Sequence, residues 1–210
     1  MKFLITAGPT REPIDPVRYI GNRSSGKMGY AVAQAALDAG HEVTLVSGPV
    51  SLEAPEGARV VRVQTAAEMF DAVHANLAGI DVAVLCAAVA DFKIKNAAPE
   101  KIKKNDGVPT LELEPTRDIL ASLGKISKKN FLLAGFAAET NDLEKNARKK
   151  LEAKRCDVVI GNRISPSNPV FERDENEVVV FFKDGSRRAL PRDGKANVAR
   201  ALVKIFASMK

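Results

Sequence analysis

The chain has 210 residues, 45% of them hydrophobic and 28% charged, with 14 Gly and 11 Pro, which excludes a disordered or fibrous polypeptide and leaves one globular domain rather than two. Apolar stretches such as Val82–Ala90 run to about ten residues, half of the ~20 that a membrane span needs, and no basic start followed by an apolar run marks a secretory signal. Lys and Arg total 32 against 26 acidic residues, a net charge of +6, but with no Trp and two Tyr the chain lacks the stacking platforms of a nucleic-acid binder; phosphorylated small molecules are the expected partners.

Strand-length apolar runs alternate with helix-period segments, the pattern of parallel strands joined by crossover helices. In chain order, a strand is predicted at Phe3–Thr6, a helix at Lys27–Ala39 closed by Gly40, strands at Glu42–Val46 and Arg59–Val63, and a helix at Ala66–Leu77 behind a Thr65 cap. A strand at Val82–Ala87 follows, then helices at Asp118–Lys125 and Asp142–Lys154 flanking a strand at Phe131–Gly135, and a strand at Asp157–Ile160. Several of these runs are apolar on both faces, as strands covered on both sides are. Glu177–Phe182 and Arg187–Leu190 around Lys183-Asp184-Gly185-Ser186 read as a hairpin, and a helix at Ala196–Met209 closes the chain. The expectation is an α/β, doubly wound, Rossmann-like three-layer sandwich with a mostly parallel sheet, a C-terminal β-hairpin (177–190) and a closing helix, one domain over residues 1–210. Asp91–Pro109, rich in lysine (Lys93, Lys95, Lys101, Lys103, Lys104), reads as a flexible basic flap.

In doubly wound sheets ligands bind beyond the carboxyl ends of the strands, so the loops after the first, fourth and fifth strands carry the candidate chemistry. The first, Thr6-Ala7-Gly8-Pro9-Thr10-Arg11-Glu12, lacks the G-x-G-x-x-G spacing of dinucleotide folds, which disfavours an ordinary NAD site. Gly21-Asn22-Arg23-Ser24-Ser25-Gly26-Lys27-Met28 follows G-x-x-x-x-G-K, but puts Met where a phosphate loop needs Ser or Thr, and Pro13 and Pro16 interrupt the approach. Ser24, Ser25 and Gly26 nevertheless stand just before a helix, whose free N–H groups and dipole favour a phosphate; a plain Ser N-cap is the other reading.

Ala87-Ala88-Val89-Ala90-Asp91 places small residues at a strand exit, then a carboxylate that orients a hydroxyl, binds a metal or caps a turn. Pro99–Lys104 reads either as a solvated charge run or as a closing loop that delivers a lysine to a phosphoryl group. Phe136 is core or flanks a base, and the next helix carries Arg148, Lys149, Lys150, Lys154 and Arg155. His41 and His74 lie away from these loops, and no nucleophile–base triad or metal cluster is legible. Cys86 and Cys156 are expected as small buried thiols, in keeping with a reducing cytoplasm.

In order, the segments I-T-A-G-P-T-R-E-P-I-D-P-V-R-Y-I-G-N-R-S-S-G-K-M-G, L-V-S-G-P-V, C-A-A-V-A-D-F, A-P-E-K-I-K-K and G-F-A-A-E-T resemble bacterial phosphopantothenoylcysteine synthetase, over nearly the whole chain from Phe3 to about Phe182. The resemblance implies a ligase of coenzyme A biosynthesis: 4'-phosphopantothenate attacks the α-phosphate of CTP to give an acyl-cytidylate and pyrophosphate, and L-cysteine then displaces CMP. It implies catalytic roles for Asn22, polarising the acyl carbonyl, and Lys101, stabilising phosphoryl charge. It also implies nucleotide contacts at Gly8, Ser24, Gly26, Gly29, Ala87, Asp91, Lys101, Asp118, Ile119, Phe136, Lys150, Lys154 and Asn162, and substrate contacts at Arg18, Asn22, Ala87 and Ala88. Mg²⁺ is expected on the triphosphate rather than in a protein cage.

A homodimer is implied too, with the hairpin or its neighbours at the interface, and a flavin-dependent decarboxylase as fused or separate partner; stand-alone and excised forms both stay open. The family's N-P-D-I segment reads Thr116-Arg117-Asp118-Ile119 here, with Arg117 in place of proline. An ATP-dependent version of the same ligase and a basic nucleotide- or nucleic-acid-binding module are the competing readings.

Overall fold

A computed structural model describes residues 1–104, 108, 110–165 and 173–210. β1 (Lys2–Ala7) is apolar on both faces because it is the centre of the sheet: Leu4 and Ile5 point to opposite sides and both are fully buried. Beside it run β4 (Glu42–Ser47) and β5 (Arg59–Arg62) on one flank, and β6 (Val82–Leu85), β9 (Leu132–Glu139) and β10 (Val158–Arg163) on the other, all parallel. β11 (Glu175–Phe182) and β12 (Arg187–Gly194) extend the sheet antiparallel, giving the order β12-β11-β10-β9-β6-β1-β4-β5. The chain reverses direction across the sheet at the β1/β6 boundary, which is the topological switch point.

Helices α1 (Lys27–Asp38) and α5 (Lys195–Ser208) cover one face, packing Val32, Ala36, Leu202 and Phe206 against Phe3, Ile5, Ile160 and Val180. Helices α2 (Ala66–Ala75), α3 (Ile119–Gly124) and α4 (Leu143–Ala153) cover the other, through Met69, Val73, Leu123 and Leu151 against Leu4, Val46, Leu133 and Val159. This is the expected Rossmann-like three-layer sandwich. α1 lies close on β1 because Gly29 has no side chain: a Cβ there would meet the Ala7 Cβ at 2.6 Å and the Thr6 carbonyl at 3.1 Å.

Four short strands depart from the sequence reading, which saw only loops. β2 (Arg11–Pro13) pairs with β3 (Tyr19–Gly21), and β7 (Phe92–Ile94) with β8 (Leu113–Pro115), as two antiparallel ribbons standing on the carboxyl edge. Three-residue strands are too short to show an alternating pattern, so their pairing is a tertiary outcome. The supposed flap therefore begins as a strand, and two of its lysines are paired, Lys93 with Glu114 at 3.0 Å and Lys95 with Glu112 at 2.6 Å. Residues 105–107 and 109 of the 91–109 segment lie outside the described residues. The hairpin is longer than expected, and its apolar strand is covered by the chain's own helices: Val178, Val180 and Phe181 are buried against α5 and α4.

The ribbons are pinned by buried carboxylates. Glu12 accepts the Ala66 N–H at 2.8 Å at the start of α2. Asp15 accepts the N–H groups of Val17 and Arg18, each at 2.8 Å, the Arg18 guanidinium, and the Ile102 N–H at 3.3 Å. Arg18 closes the triangle by donating to the Ile102 carbonyl at 3.0 Å, and Ala98 donates to Ile14 at 2.9 Å. The Arg18 side chain, then the backbone N–H groups, hold the Asp15 carboxyl below its ordinary 3.8. A depressed carboxylate stabilises the fold above its unfolded value and loses that contribution as the pH falls below it, so the anchor weakens in acid below about pH 4. Asp15→Asn should release the same anchor at neutral pH and speed tryptic cleavage after Lys101, Lys103 and Lys104; a variant as resistant as the parent would contradict this.

Candidate functional site

At the switch point the loops after β1, β6 and β9 enclose a cleft of about 1190 Å³. Its floor on the α1 side is the segment after β3. Gly26 is the N-cap of α1 with a left-handed φ of 79°, and no side chain caps the helix. The Ser N-cap expected as the plain alternative is thus absent; the Ser24 Oγ instead accepts the Gly26 N–H at 3.3 Å. The first N–H groups of a 12-residue helix consequently face the cleft beside Ser24, Gly26 and Gly29, all in its lining.

The exit of β6 forms the middle of the site. Its backbone is tied to the β1 loop by the Ala88 N–H to Gly8 O bond at 2.9 Å, and by bonds from the Ala87 and Ala90 N–H groups to the Thr6 and Thr10 hydroxyls at 3.1 and 2.9 Å. Asn22 crosses from the other side: its Nδ2 donates to the Ala88 and Val89 carbonyls at 3.0 and 3.1 Å, holding the amide over Ala87 and Ala88. Asp91 is exposed at the rim, where its carbonyl accepts from the Thr116 N–H at 2.9 Å.

The opposite wall comes from α3 and α4. Asp118 caps α3 by accepting the Ala121 N–H at 2.7 Å and pairs with Lys154 at 2.6 Å. Partial burial alone would raise its carboxyl, but the Lys154 and Ala121 bonds outweigh this and hold it below its ordinary value. Lys150 donates to the Phe136 carbonyl at 2.6 Å, and burial pushes its ammonium below the usual lysine value. Ile119 completes this wall, and the Phe136 ring lines the cleft from the α1/α5 side of β9. Arg117, where the resemblance leads one to expect proline, also lines the cleft, while its guanidinium pairs with Asp71 at 2.8 Å and lies over the Phe70 ring at 4.0 Å, on α2.

The cleft therefore gathers Asn22, Ser24, Gly26, Gly29, Ala87, Ala88, Asp91, Asp118, Ile119, Phe136, Lys150, Lys154 and Asn162. Three expected site residues are not in its lining. Gly8 lies behind it, bonded to Ala88; Arg18 is engaged with Asp15 and Ile102; Lys101 is exposed one residue before that anchor. Asn176 and Lys195 also line the cleft, unforeseen, because their strand and helix read as a peripheral hairpin and closing helix. Both histidines are structural: His41 stacks on Phe3 at 5.1 Å and His74 bonds Ser122 at 2.9 Å.

Cys156 is buried as expected, whereas Cys86 is half-buried and lines the cleft. Burial pushes both thiols up to about 12. At pH 8 the native protein should react with iodoacetamide roughly 10³-fold more slowly than an ordinary thiol; alkylation of Cys86 at the rate of a free thiol would overturn that assignment.

The family described as the DNA/pantothenate metabolism flavoprotein C-terminal domain matches residues 1–209. The coenzyme A biosynthesis bifunctional protein CoaBC of Bacillus subtilis (strain 168) is 49% identical over 207 residues, 98% of this chain and 51% of that protein. The protein of the same name from Vibrio vulnificus (strain YJ016) is 46% identical over 204 residues, 96% of this chain and 51% of that protein. The chain thus spans about half the length of these curated relatives. The crystal structure of the C-terminal domain of a coenzyme A biosynthesis bifunctional protein CoaBC superposes with a TM-score of 0.84 at 42% identity, covering 99% of this chain and 94% of that one. With a match along nearly its whole length and the same fold in a solved relative, the chain belongs to the family of DNA/pantothenate metabolism flavoprotein C-terminal domains.

Proposed function

We propose that the chain is the phosphopantothenate–cysteine ligase of coenzyme A biosynthesis, using CTP. The observation that carries the reading is one cleft that brings together Asn22, the small Ala87-Ala88 exit, the Asp118–Lys154 pair, Lys150 and Phe136. In the first step a carboxylate oxygen of 4'-phosphopantothenate bonds to the α-phosphorus of CTP, the bond to the β-phosphate oxygen breaks, and pyrophosphate leaves with the electron pair. In the second, the L-cysteine amine bonds to the acyl carbon, the acyl–phosphate oxygen bond breaks, CMP leaves, and the amine gives up a proton to become the amide.

The chain's own groups fit these roles. The α1 N-terminus and the Gly26 turn suit phosphates, Phe136 and Asp118 suit the base end, and Asn22 stands over the loop where an acyl carbonyl would lie. Mg²⁺ would ride on the triphosphate, neutralising its charge. Its bound waters would have an acceptor in Asn162 Oδ1, a buried oxygen that accepts no hydrogen bond among the described residues. Lys150 and Lys154 line a concave cleft, which suits a small ligand better than a nucleic-acid strand. Cytoplasmic residence, where both thiols stay reduced, and a flavin-dependent decarboxylase acting on the product complete the reading.

The deciding assay is pyrophosphate release with Mg²⁺, CTP and 4'-phosphopantothenate, with and without L-cysteine. Sustained release and matching CMP only with cysteine are expected; no release with CTP sinks the reading, and equal kcat/KM with ATP reassigns the base. Lys101→Gln should lower pyrophosphate release by about 10²-fold or more, as loss of one transition-state charge donor does. Asn22→Asp should still release pyrophosphate but stall before cysteine attack; equal loss of both steps would make Asn22 structural.

The homodimer is proposed on the ribbons rather than the hairpin. Val17, Tyr19, Phe92 and Leu113 on adjoining ribbons are 60%, 51%, 54% and 48% exposed, whereas the hairpin's apolar strand is covered by its own chain. Phe92→Asp should shift a sedimenting dimer toward monomer, and a parent protein that sediments as a monomer at micromolar concentration would refute the assembly.

A further inference from the structure

Two lysines outside every role given so far meet at one corner of the cleft. β11 is antiparallel to β10 and β12 to β11, so β12 ends on the carboxyl edge of the parallel strands and α5 starts there, packed beside α1. The positive ends of a 12-residue and a 14-residue helix converge at that corner, and neither helix is closed by a side-chain cap. Lys195, the first residue of α5, is 6% exposed and lines the cleft, with its Nζ donating to the Arg173 carbonyl. Lys27, the first residue of α1, lines it too and pairs with Asp174 at 2.6 Å. Burial, then the charge of Lys27, lowers the Lys195 ammonium below its ordinary value against the pull of the Asp174 carboxylate, and a further anion beside the two cations would favour the charged ammonium.

Asn162 marks the same cleft independently. It too is 6% exposed, and its Oδ1 is a buried acceptor without a donor among the described residues. A bare phosphate offers only acceptors and would leave that oxygen unsatisfied. A magnesium-bound diphosphate offers both kinds of group: oxygens for ammonium and helix N–H groups, and metal-bound waters that donate to an amide oxygen. The Asp118–Lys154 pair that suits a base stands on the α3/α4 side, across the sheet from α1 and α5, whereas the Phe136 ring packs on the α1/α5 side of β9.

We infer that Lys195, with the N-termini of α1 and α5, holds the β- and γ-phosphates of the nucleotide and stabilises pyrophosphate as it leaves. As the bond between the α-phosphorus and the bridging oxygen breaks, the electron pair stays on the departing diphosphate, and negative charge grows where the ammonium is already held in place by the Arg173 carbonyl. The reaction assigned to the site rests on the ligase reading; the diphosphate site itself does not.

Calorimetric titration with magnesium pyrophosphate, and separately with CMP, tests it. Lys195→Met should weaken pyrophosphate binding about tenfold or more, the worth of one charge-assisted hydrogen bond, and leave CMP affinity within about twofold. Lys195→Arg, which keeps the charge, should stay within about threefold of the parent. Equal pyrophosphate affinity in Lys195→Met and the parent, or no pyrophosphate binding by the parent, overturns the inference. Should Lys195→Met fail to fold, reductive methylation of the parent decides: magnesium pyrophosphate should slow modification of Lys195 relative to exposed Lys204, and equal protection of the two overturns it. Lys195-dependent pyrophosphate binding in a protein that turns over neither CTP nor ATP would sink the ligase reading and keep the site; turnover with Lys195-independent binding would do the reverse.

Discussion

The seat of α1 on β1 is the constraint on which the site depends. At Gly29 the helix backbone comes so near Ala7 and Thr6 that a methyl group would have no room, and that contact sets how deeply the helix start sits behind the carboxyl edge of the sheet. A helix dipole acts over its first turn only, so a small outward shift of α1 would withdraw its N–H groups from the cleft. Gly26 then turns the chain into the helix in a left-handed conformation that leaves those groups without a side-chain partner. Packing on one face of the sheet and the position of the α1 N–H groups at its edge are therefore consequences of the same contact.

Positive charge in the cleft is held in fixed positions. Lys150 donates to the Phe136 carbonyl and Lys195 to the Arg173 carbonyl, neutral acceptors that orient each ammonium in the site. Lys154 is balanced by Asp118, which also caps α3, so one carboxylate both starts a helix and aims a cation. On the ribbons the opposite holds: Lys93 and Lys95 face glutamates on the neighbouring strand, an arrangement that suits solubility and pairing. Preorganised charge of the first kind costs nothing to reorient when charge develops on a ligand, which is the arrangement phosphoryl chemistry rewards.

The segment carrying Lys101 is governed by buried Asp15. That single carboxylate gathers the turn between β2 and β3, the Arg18 guanidinium and the Ile102 N–H, so the base of the lysine-rich segment is tied to the ribbon rather than to the cleft wall. Arg18 and Lys101 thereby share one anchor, and neither belongs to the cleft lining of the isolated chain. The exposed apolar residues of the ribbons stand next to this anchor.

Much of this was legible in the sequence. Runs such as Phe3–Thr6 and Phe131–Gly135, apolar on both faces, have no stable place except inside a sheet covered twice, and the helix-period segments between them force parallel crossovers. The Thr65 cap was readable because capping is a local bargain between one side chain and the next turn, whereas Asp118, read as the first residue of its helix, turns out to be that helix's cap. The family resemblance marked Asn22, the Ala87-Ala88 exit, Phe136, Lys150 and Lys154 as one set, and these residues line one cleft. Only the tertiary structure could reveal the two ribbons, whose strands are too short to carry a period, or the displacement of Arg18 and Lys101 to a separate anchor. It alone decided that Arg117 serves α2, that Cys86 faces the cleft, and that Asn162 and Lys195, 33 residues apart in sequence, line a common wall. Local preference and periodicity are written along the chain; which side chains meet across the carboxyl edge follows from strand order and helix packing, and those exist only once the sheet has formed.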